Sequence, residues 1–351
     1  MVTLGRRLLV GGVVATLVAL AGVSAAHSQA ATTAACGATS ATTVVADYET
    51  TARGIYLGEN ASAEVTADAT HVQDSTALTS AVADNNKAAT LAATTRLVIT
   101  RGWHIVRLRV LSSSGAVLAD VGGPYVIAPV TGKLVAHGTV VGSYVMSVQD
   151  DIGYERLVTR FTKLPIELYR NGTRLMGRSF PHHEVPANVP PNGTSITVNG
   201  HPSVTVAFTA NAFPSGTLEV LLAVPKPSVA LAKESCATVN ATIYGEIAEH
   251  IAAQFRFPGQ YASFVTLDSN FGPKLIFVRS GSTQLAGTLA KGPASIPWSG
   301  NLAYAGQSWD VFSFVALARA RIYLLFAPYV APTGTTAASG TSGTTGTTGT
   351  T

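Results

Sequence analysis

The spacing of apolar residues changes along the chain from a helical to a strand pattern. From Thr43 to about Ala69 apolar side chains recur three or four positions apart with few helix breakers, which predicts a long first helix. A second helical stretch begins at Asp74-Ser75, a favourable N-cap, and continues towards Leu97. Two helices are therefore predicted before the first strand.

Strand periodicity begins near Trp103 and dominates the next part of the chain. A Ser-Ser-Gly turn after residue 112 predicts a hairpin, and a helix over 150–161, stopped at Pro165, interrupts the strands. The predicted strands are 105–111, 116–121, 125–128, 140–148, 166–169, 173–176, 195–198, 204–209 and 218–224. This order of helices and strands favours an α+β protein.

The chain also contains an internal repeat. Residues 200–225 recur in pattern as residues 306–328, and each unit begins near one of the two cysteines, Cys36 and Cys236. Two related domains in tandem are predicted, and their ranges are 36–225 and 236–330. The second is shorter: a helix over about 238–255 precedes its strands, and we find no counterpart to the second helix or to the helix at 150–163. Residues 331–351 are uncharged and rich in Gly, Thr and Ser, which predicts a disordered tail.

The N-terminus has the features of an export signal. Arg6 and Arg7 precede an apolar run over 8–23, and small residues offer cleavage after Ala26 or Ala30. Residues 1–30 therefore predict a signal peptide and a secreted or cell-envelope protein. The alternative is an uncleaved anchor, because the apolar run is about long enough to span a bilayer. Contact with a membrane is expected only in that case.

In an exported chain, two cysteines most often pair with each other. A bond between Cys36 and Cys236 would close a loop of about 200 residues, with a stabilisation of about 4–5 kcal/mol in the chain-entropy model. The alternative is two free, buried thiols.

The overall charge argues against a nucleic-acid partner. Charged residues make up 12% of the chain, against about 25% in a typical globular protein. The formal net charge of +4 includes Arg6 and Arg7, so the chain without them carries only +2. No basic surface that would bind nucleic acid is expected.

Three features of residues 44–224 together resemble an extracellular Cache sensor domain, a relative of the PAS fold. They are the turn Ser114-Gly115-Ala116-Val117-Leu118-Ala119 after the strand at 105–111, the strand at 138–148 that runs into the helix at 150–161, and the closing pair of strands. The resemblance implies two tandem PAS-like lobes, each an antiparallel sheet with flanking helices, behind a long N-terminal helix. Cache relatives commonly continue into a transmembrane helix and a cytoplasmic module; direct transmembrane signalling is not expected here.

The resemblance places a small-molecule ligand in the first lobe, between one sheet face and its covering loops. Strand alternation puts Trp103, Arg107 and Arg109 on one face, and Leu108 and Val110 on the face that should meet the long helix. Two guanidinium groups side by side suit a carboxylate or an amino acid as the ligand. The alternative is that both arginines pair with Asp120 across the hairpin.

Two tyrosines complete the predicted site. Tyr125 follows a Gly-Gly-Pro loop, and Tyr144 shares a strand face with Met146, so either ring is a candidate to line a pocket. Plain turn chemistry and core packing are the respective alternatives.

No catalytic motif is present, and we predict no catalytic residue, metal or cofactor. Pro181-His182-His183-Glu184 is the one dense cluster of potential metal ligands, and no second cluster adds ligands at a familiar spacing. The first hypothesis is therefore a non-enzymatic, exported Cache-type sensor or ligand-binding protein. The alternative is an envelope-associated structural module that binds another envelope protein and no ligand. A metal-dependent hydrolase based on His182, His183 and Glu184 is a remote third hypothesis.

Overall fold

The structure is a computed structural model. It describes residues 35–37, 40–124, 126–175, 180, 184, 186–253, 275–315 and 320–327. The predicted signal peptide at 1–30 and the predicted tail at 331–351 lie outside the described residues. Among the described residues, no helix has both the length and the apolarity needed to cross a bilayer.

Among the described residues, four helices precede the first strand, where the sequence predicted two. They are α1 (Ser40–Ala61), α2 (Ala63–Gln73), α3 (Thr76–Ala83) and α4 (Lys87–Ile99). The predicted long helix is interrupted at Ser62, whose hydroxyl accepts a hydrogen bond from the Val65 amide at 3.1 Å and so caps α2. Asn86 caps α4 in the same way, since its side chain accepts from the Ala89 amide at 3.0 Å.

The first sheet is built by the hairpin strands and by two strands that follow them. They are β1 (Arg107–Ser112), β2 (Val117–Gly122), β4 (Val130–Ala136) and β5 (Thr139–Ser147), in the order β2-β1-β5-β4, with a short β3 (Val126–Ile127) paired to β6 (Gln149–Asp150). Leu108, Leu134 and Met146 are fully buried on one face beneath α2, α3 and α4. The sequence predicted that the long helix over 43–69 would cover this face. The structure confirms this only for the last part of that helix, which corresponds to α2.

The second and third sheets share one topology. The second sheet follows α5 (Asp151–Thr162) and contains β7 (Ile166–Arg170), β8 (Thr173–Arg174), β9 (Ser195–Val198), β10 (His201–Asn211) and β11 (Thr217–Pro225), in the order β8-β7-β11-β10-β9. The third sheet follows α6 (Val229–Lys233) and α7 (Cys236–Ala252) and contains β12 (Leu275–Ser280), β13 (Thr283–Gly287), β14 (Ser299–Tyr304), β15 (Gln307–Val315) and β16 (Arg321–Phe326), in the order β13-β12-β16-β15-β14.

The sequence repeat corresponds to β10–β11 in the second sheet and β15–β16 in the third. Because α7 precedes the third sheet as α5 precedes the second, the helix at 150–163 does have a counterpart, contrary to our expectation. The predicted range 36–225 thus holds two of the larger sheets and the short β3–β6 pair, and the contacts place the described residues in one unit. The domain boundaries stay a prediction, whereas the α+β class with tandem antiparallel sheets and flanking helices is confirmed.

Helix α1 joins the second and third sheets, together with the direct contact between α5 and α7. It packs against α5, α7 and β10, and its buried residues Tyr48, Ala52 and Ile55 belong to the largest apolar core, which includes side chains from both sheets. At its start, Cys36 is bonded to Cys236, the first residue of α7, with a Cα–Cα distance of 4.6 Å. The N-terminal helix is therefore tied both covalently and by packing to the second half of the chain.

Candidate functional site

Arg107 and Arg109 lie on the sheet face opposite the helices, and both bind Asp120. The Arg107 guanidinium donates to the two carboxylate oxygens at 2.7 and 2.9 Å, and that of Arg109 donates to Oδ2 at 2.9 and 2.6 Å. Asp120 stands directly opposite Arg109 in the β1–β2 pairing. The structure therefore shows the alternative prediction, in which both arginines pair with Asp120 across the hairpin. The carboxylate on these arginines belongs to the protein itself.

The electrostatics of this cluster favour a charged Asp120. Burial acts to raise the pKa of the Asp120 carboxyl, but the hydrogen bonds and positive charges of Arg107 and Arg109 outweigh it, so the pKa lies below its ordinary value.

The ring of Phe213, from the β10–β11 connection, packs against the same cluster. Phe213 is fully buried, and the guanidinium carbons of Arg107 and Arg109 lie 5.2 and 6.0 Å from its ring centroid. An isolated bridge between Ile127 and Ala212 adds a second contact between these two parts of the chain. The predicted arginine site is thus a joint between the first and second sheets.

Tyr144 and Trp103 lie on the helix-covered side, away from the arginines. The buried Tyr144 accepts a hydrogen bond from Gln73 Nε2 at 2.9 Å, and a Cβ at Gly132 would approach its ring to 2.4 Å. Tyr144 therefore packs in the core, which was the alternative to its predicted place in a ligand pocket. Because β1 begins only at Arg107, Trp103 precedes the strand, and its predicted place on the arginine face is wrong. Tyr125 lies outside the described residues.

A pocket of about 310 Å³ opens among the helices that cover the first sheet, and Trp103 forms part of its wall. We call it the helical pocket; its lining residues are His71, Asp74, Ser75, Ala77, Ala93, Arg96, Leu97, Thr100 and Trp103. The rings of Trp103 and His71 stack at a centroid distance of 4.2 Å with an angle of 11° between their planes. The stacked pair offers a flat aromatic wall.

Local capping positions the residues at the mouth of this pocket. The Ser75 hydroxyl accepts from the Leu78 amide at 3.3 Å, so the chain turns between α2 and α3 and leaves Asp74 and Ser75 at the rim. On the other side, the Thr100 hydroxyl donates to the Arg96 carbonyl at 2.7 Å. The Trp103 amide then donates to the Thr100 carbonyl at 3.3 Å, which returns the chain towards His71.

A buried carboxylate holds the chain just after Trp103. Asp68 on α2 accepts from the His104 amide at 3.1 Å. Burial raises the pKa of Asp68, while this hydrogen bond and the nearby His71 and His104 oppose the rise. The backbone beside Trp103 is thereby attached to α2, the helix that carries His71.

The chemical character of the helical pocket is amphiphilic. Ala93 and Leu97 are buried and form an apolar floor, whereas Arg96 and Asp74 are exposed and bring opposite charges to the rim. The volume is at the small end of the range for ligand pockets, about 300–1,000 Å³. The arrangement suits a small molecule with a flat or apolar body and a charged end.

Of the residues that line this pocket, the sequence predicted only Trp103 as part of a ligand site, and it marked Asp74 and Ser75 only as a helix N-cap. His71 and Asp74 lie at the C-terminal end of α2, and Arg96 and Thr100 lie at the C-terminal end of α4. Helical periodicity marks them as polar, exposed positions and nothing more. Because α2 is followed directly by α3, the packing of α3 against α4 brings these residues to one opening.

Within the part of the chain that the structure describes, no group of three or more His, Cys, Asp or Glu side chains is placed to hold a metal ion. His182 and His183, on which the hydrolase hypothesis rests, lie outside that part. Glu184 is described, and its carboxylate accepts from the Asn199 amide at 2.6 Å.

Comparisons with known proteins add little to this geometry. No protein-family model matches the chain, and no curated protein matches it. Among solved structures, the periplasmic domain of Vibrio Cholerae LuxQ matches over 82% of this chain and 98% of its own, at 9% identity and a TM-score of 0.15. A superposition this weak gives no basis for assigning a fold or a function.

Proposed function

We propose that the protein is an exported, non-enzymatic sensor or small-molecule-binding protein, and that the helical pocket holds its ligand. The observation that carries the proposal is the stacked Trp103–His71 wall beside an apolar floor, with Arg96 and Asp74 at the rim. Arg96 suits a carboxylate, and Asp74 suits an ammonium group. The proposed ligand is a small carboxylate or amino acid with a flat or apolar side group.

Two features support an extracytoplasmic location. The bonded pair Cys36–Cys236 is typical of proteins that fold in an oxidising compartment. The pattern of residues 1–30 is typical of an export signal. Both features suit a protein that meets its ligand outside the cytoplasm.

The proposal is tested by following thermal unfolding of the full chain with a panel of carboxylates and amino acids. A ligand at a hundred times its dissociation constant adds about 2.7 kcal/mol to the unfolding free energy, which is a clear shift in Tm. Arg96→Gln and Trp103→Leu should abolish the shift. Arg101→Gln, an exposed arginine that does not line the pocket, is the matched control. A panel without any shift, or a shift unchanged in Arg96→Gln, contradicts the proposal.

One observation favours a second candidate function, an envelope-associated protein-interaction module without a ligand. Asp120 and Phe213 fill the face where the sequence predicted a ligand, so that part of the first sheet is engaged by the protein's own groups. Crosslinking in the cell envelope with identification of the attached protein tests this function. A specific protein partner, together with no Tm shift across the ligand panel, would favour the protein-interaction module over the ligand-binding protein.

Metal analysis of the purified protein tests the hydrolase hypothesis.

A further inference from the structure

A second pocket lies between α7 and the strands β14 and β15 of the third sheet. Its volume is about 240 Å³. We call it the aromatic groove; it is lined by Trp298, Phe312 and Phe314 from the sheet side and mainly by Gly245, Ala248 and Glu249 from the helix.

The groove exists because α7 presents small residues to the sheet. Gly245, Ala248 and Ala252 are spaced three and four positions apart and so lie on one helix face. A Cβ added at Gly245 would lie 3.2 Å from the Phe312 ring, so the absence of a side chain there lets helix and ring approach closely. The space beyond them is left open beside three aromatic rings.

Trp298 is exposed to an unusual degree for an indole, at 70% of its surface. The main chain at Trp298 is held in place, because its carbonyl accepts a hydrogen bond from the Ser313 hydroxyl at 2.6 Å. The guanidinium of Arg321 lies 4.5 Å from the Trp298 ring centroid and donates to Ser313 Oγ at 3.0 Å. The ring thus already binds one cation of the protein, and most of its surface remains free for another group.

The charge of the groove indicates which group that is. Glu249 is the one charged side chain among the described residues that line it, and the Arg321 guanidinium lies outside this lining, over the Trp298 ring. The faces of aromatic rings carry the negative part of their quadrupole, so rings and carboxylate both attract a positive charge. We propose that the aromatic groove binds a small organic cation, an amine with an aromatic or branched apolar body. This site goes beyond the proposed function, and its lining carries a carboxylate alone, whereas the helical pocket has both Arg96 and Asp74 at its rim.

The test uses three probes of nearly equal shape and different charge: phenethylamine, phenethyl alcohol and hydrocinnamate. The full chain is labelled with fluorotryptophan, and its signals are followed by fluorine NMR. Trp298 reports on the groove, Trp103 on the helical pocket, and the buried Trp309 on the fold of the third sheet. Substitution of each tryptophan by phenylalanine assigns the signals.

We expect phenethylamine to move the Trp298 signal and to bind about fivefold more tightly than phenethyl alcohol. Hydrocinnamate should leave the Trp298 signal unmoved. Glu249→Gln should bring the affinity for the amine down to that for the alcohol. The control is Glu234→Gln, since Glu234 is an exposed residue just before α7 that does not line the groove. This substitution should leave the affinity for phenethylamine unchanged. An unmoved Trp309 signal without ligand shows that Glu249→Gln is folded.

Equal affinity for amine and alcohol overturns the proposal, as does an amine affinity that Glu249→Gln does not change. An unmoved Trp298 signal at saturating amine overturns it as well. Because Trp103 and Trp298 are read separately, failure at the groove is distinguishable from failure of the helical pocket.

Discussion

Replacing Asp47 by asparagine should remove most of a pH-dependent loss of stability that the structure predicts. Asp47 lies on α1, is fully buried, and faces α7 and β15. Neither of its oxygens has a partner at strict hydrogen-bond geometry among the described residues. Burial raises the pKa of Asp47 from 3.8 to about 8; the hydroxyl of Tyr244 opposes the rise, and the carboxyl of Asp310 adds to it. The folded state therefore holds a proton that the unfolded chain releases.

The sign and size of the effect follow from these two pKa values. A raised carboxyl pKa stabilises the folded state fully below about pH 4, and this stability is lost as the pH rises towards about 8. The difference between the folded and unfolded pKa values of Asp47 corresponds to roughly 6 kcal/mol of unfolding free energy. Roughly 4 kcal/mol of this is lost between about pH 5 and pH 8. Asp310 is also buried, and burial raises its pKa, so its contribution has the same sign.

The measurement is urea unfolding of the full chain across this pH range. The wild type should lose roughly 4 kcal/mol more than Asp47→Asn as the pH rises, because asparagine carries no charge at any of these values. Asp84→Asn, at an exposed position after α3, is the matched control and should follow the wild type. If the unfolding free energy of Asp47→Asn changes with pH as steeply as that of the wild type, the inference that Asp47 is protonated in the folded state is refuted.

Three further perturbations test the joints between the sheets. Replacing Cys36 and Cys236 together by serine, which opens a sequence separation of 200 residues, should lower the unfolding free energy by about 5 kcal/mol in the chain-entropy model; urea unfolding with and without reductant measures it, and equal midpoints contradict it. Asp120→Asn should cost about 1–3 kcal/mol near neutral pH, and because the pKa of Asp120 is lowered, the difference from wild type should shrink as the pH falls below about 4. Phe213→Ala removes a fully buried ring and should cost about 3–5 kcal/mol in the same assay; a loss below about 1 kcal/mol would show that the ring does not join the sheets.

The local pattern predicted several elements close to their observed bounds. The hairpin at 105–121 corresponds to β1 and β2, and the helix at 150–161 corresponds to α5, which Asp150 caps through the Gly153 amide at 2.5 Å. The sequence also predicted, as the alternative to ligand binding, that Arg107 and Arg109 pair with Asp120 across the strands. This was possible because hairpin register is a local property. The break at Ser62 was missed, since a serine within a helical pattern has no local mark that distinguishes a cap from an interior residue.

What the sequence determined by itself is the periodicity of each element, the repeat in the closing strands, the α+β class and the cysteine pair. Tertiary structure decided which elements cover which face: α2 to α4 pack on the first sheet, Phe213 covers the arginines, and α1 joins the second and third sheets. It also decided the two pockets, since Trp103 meets His71, and Trp298 meets α7, only through packing of distant segments. Periodicity tells which side of an element is apolar, but burial summed over distant contacts selects the partner that covers it.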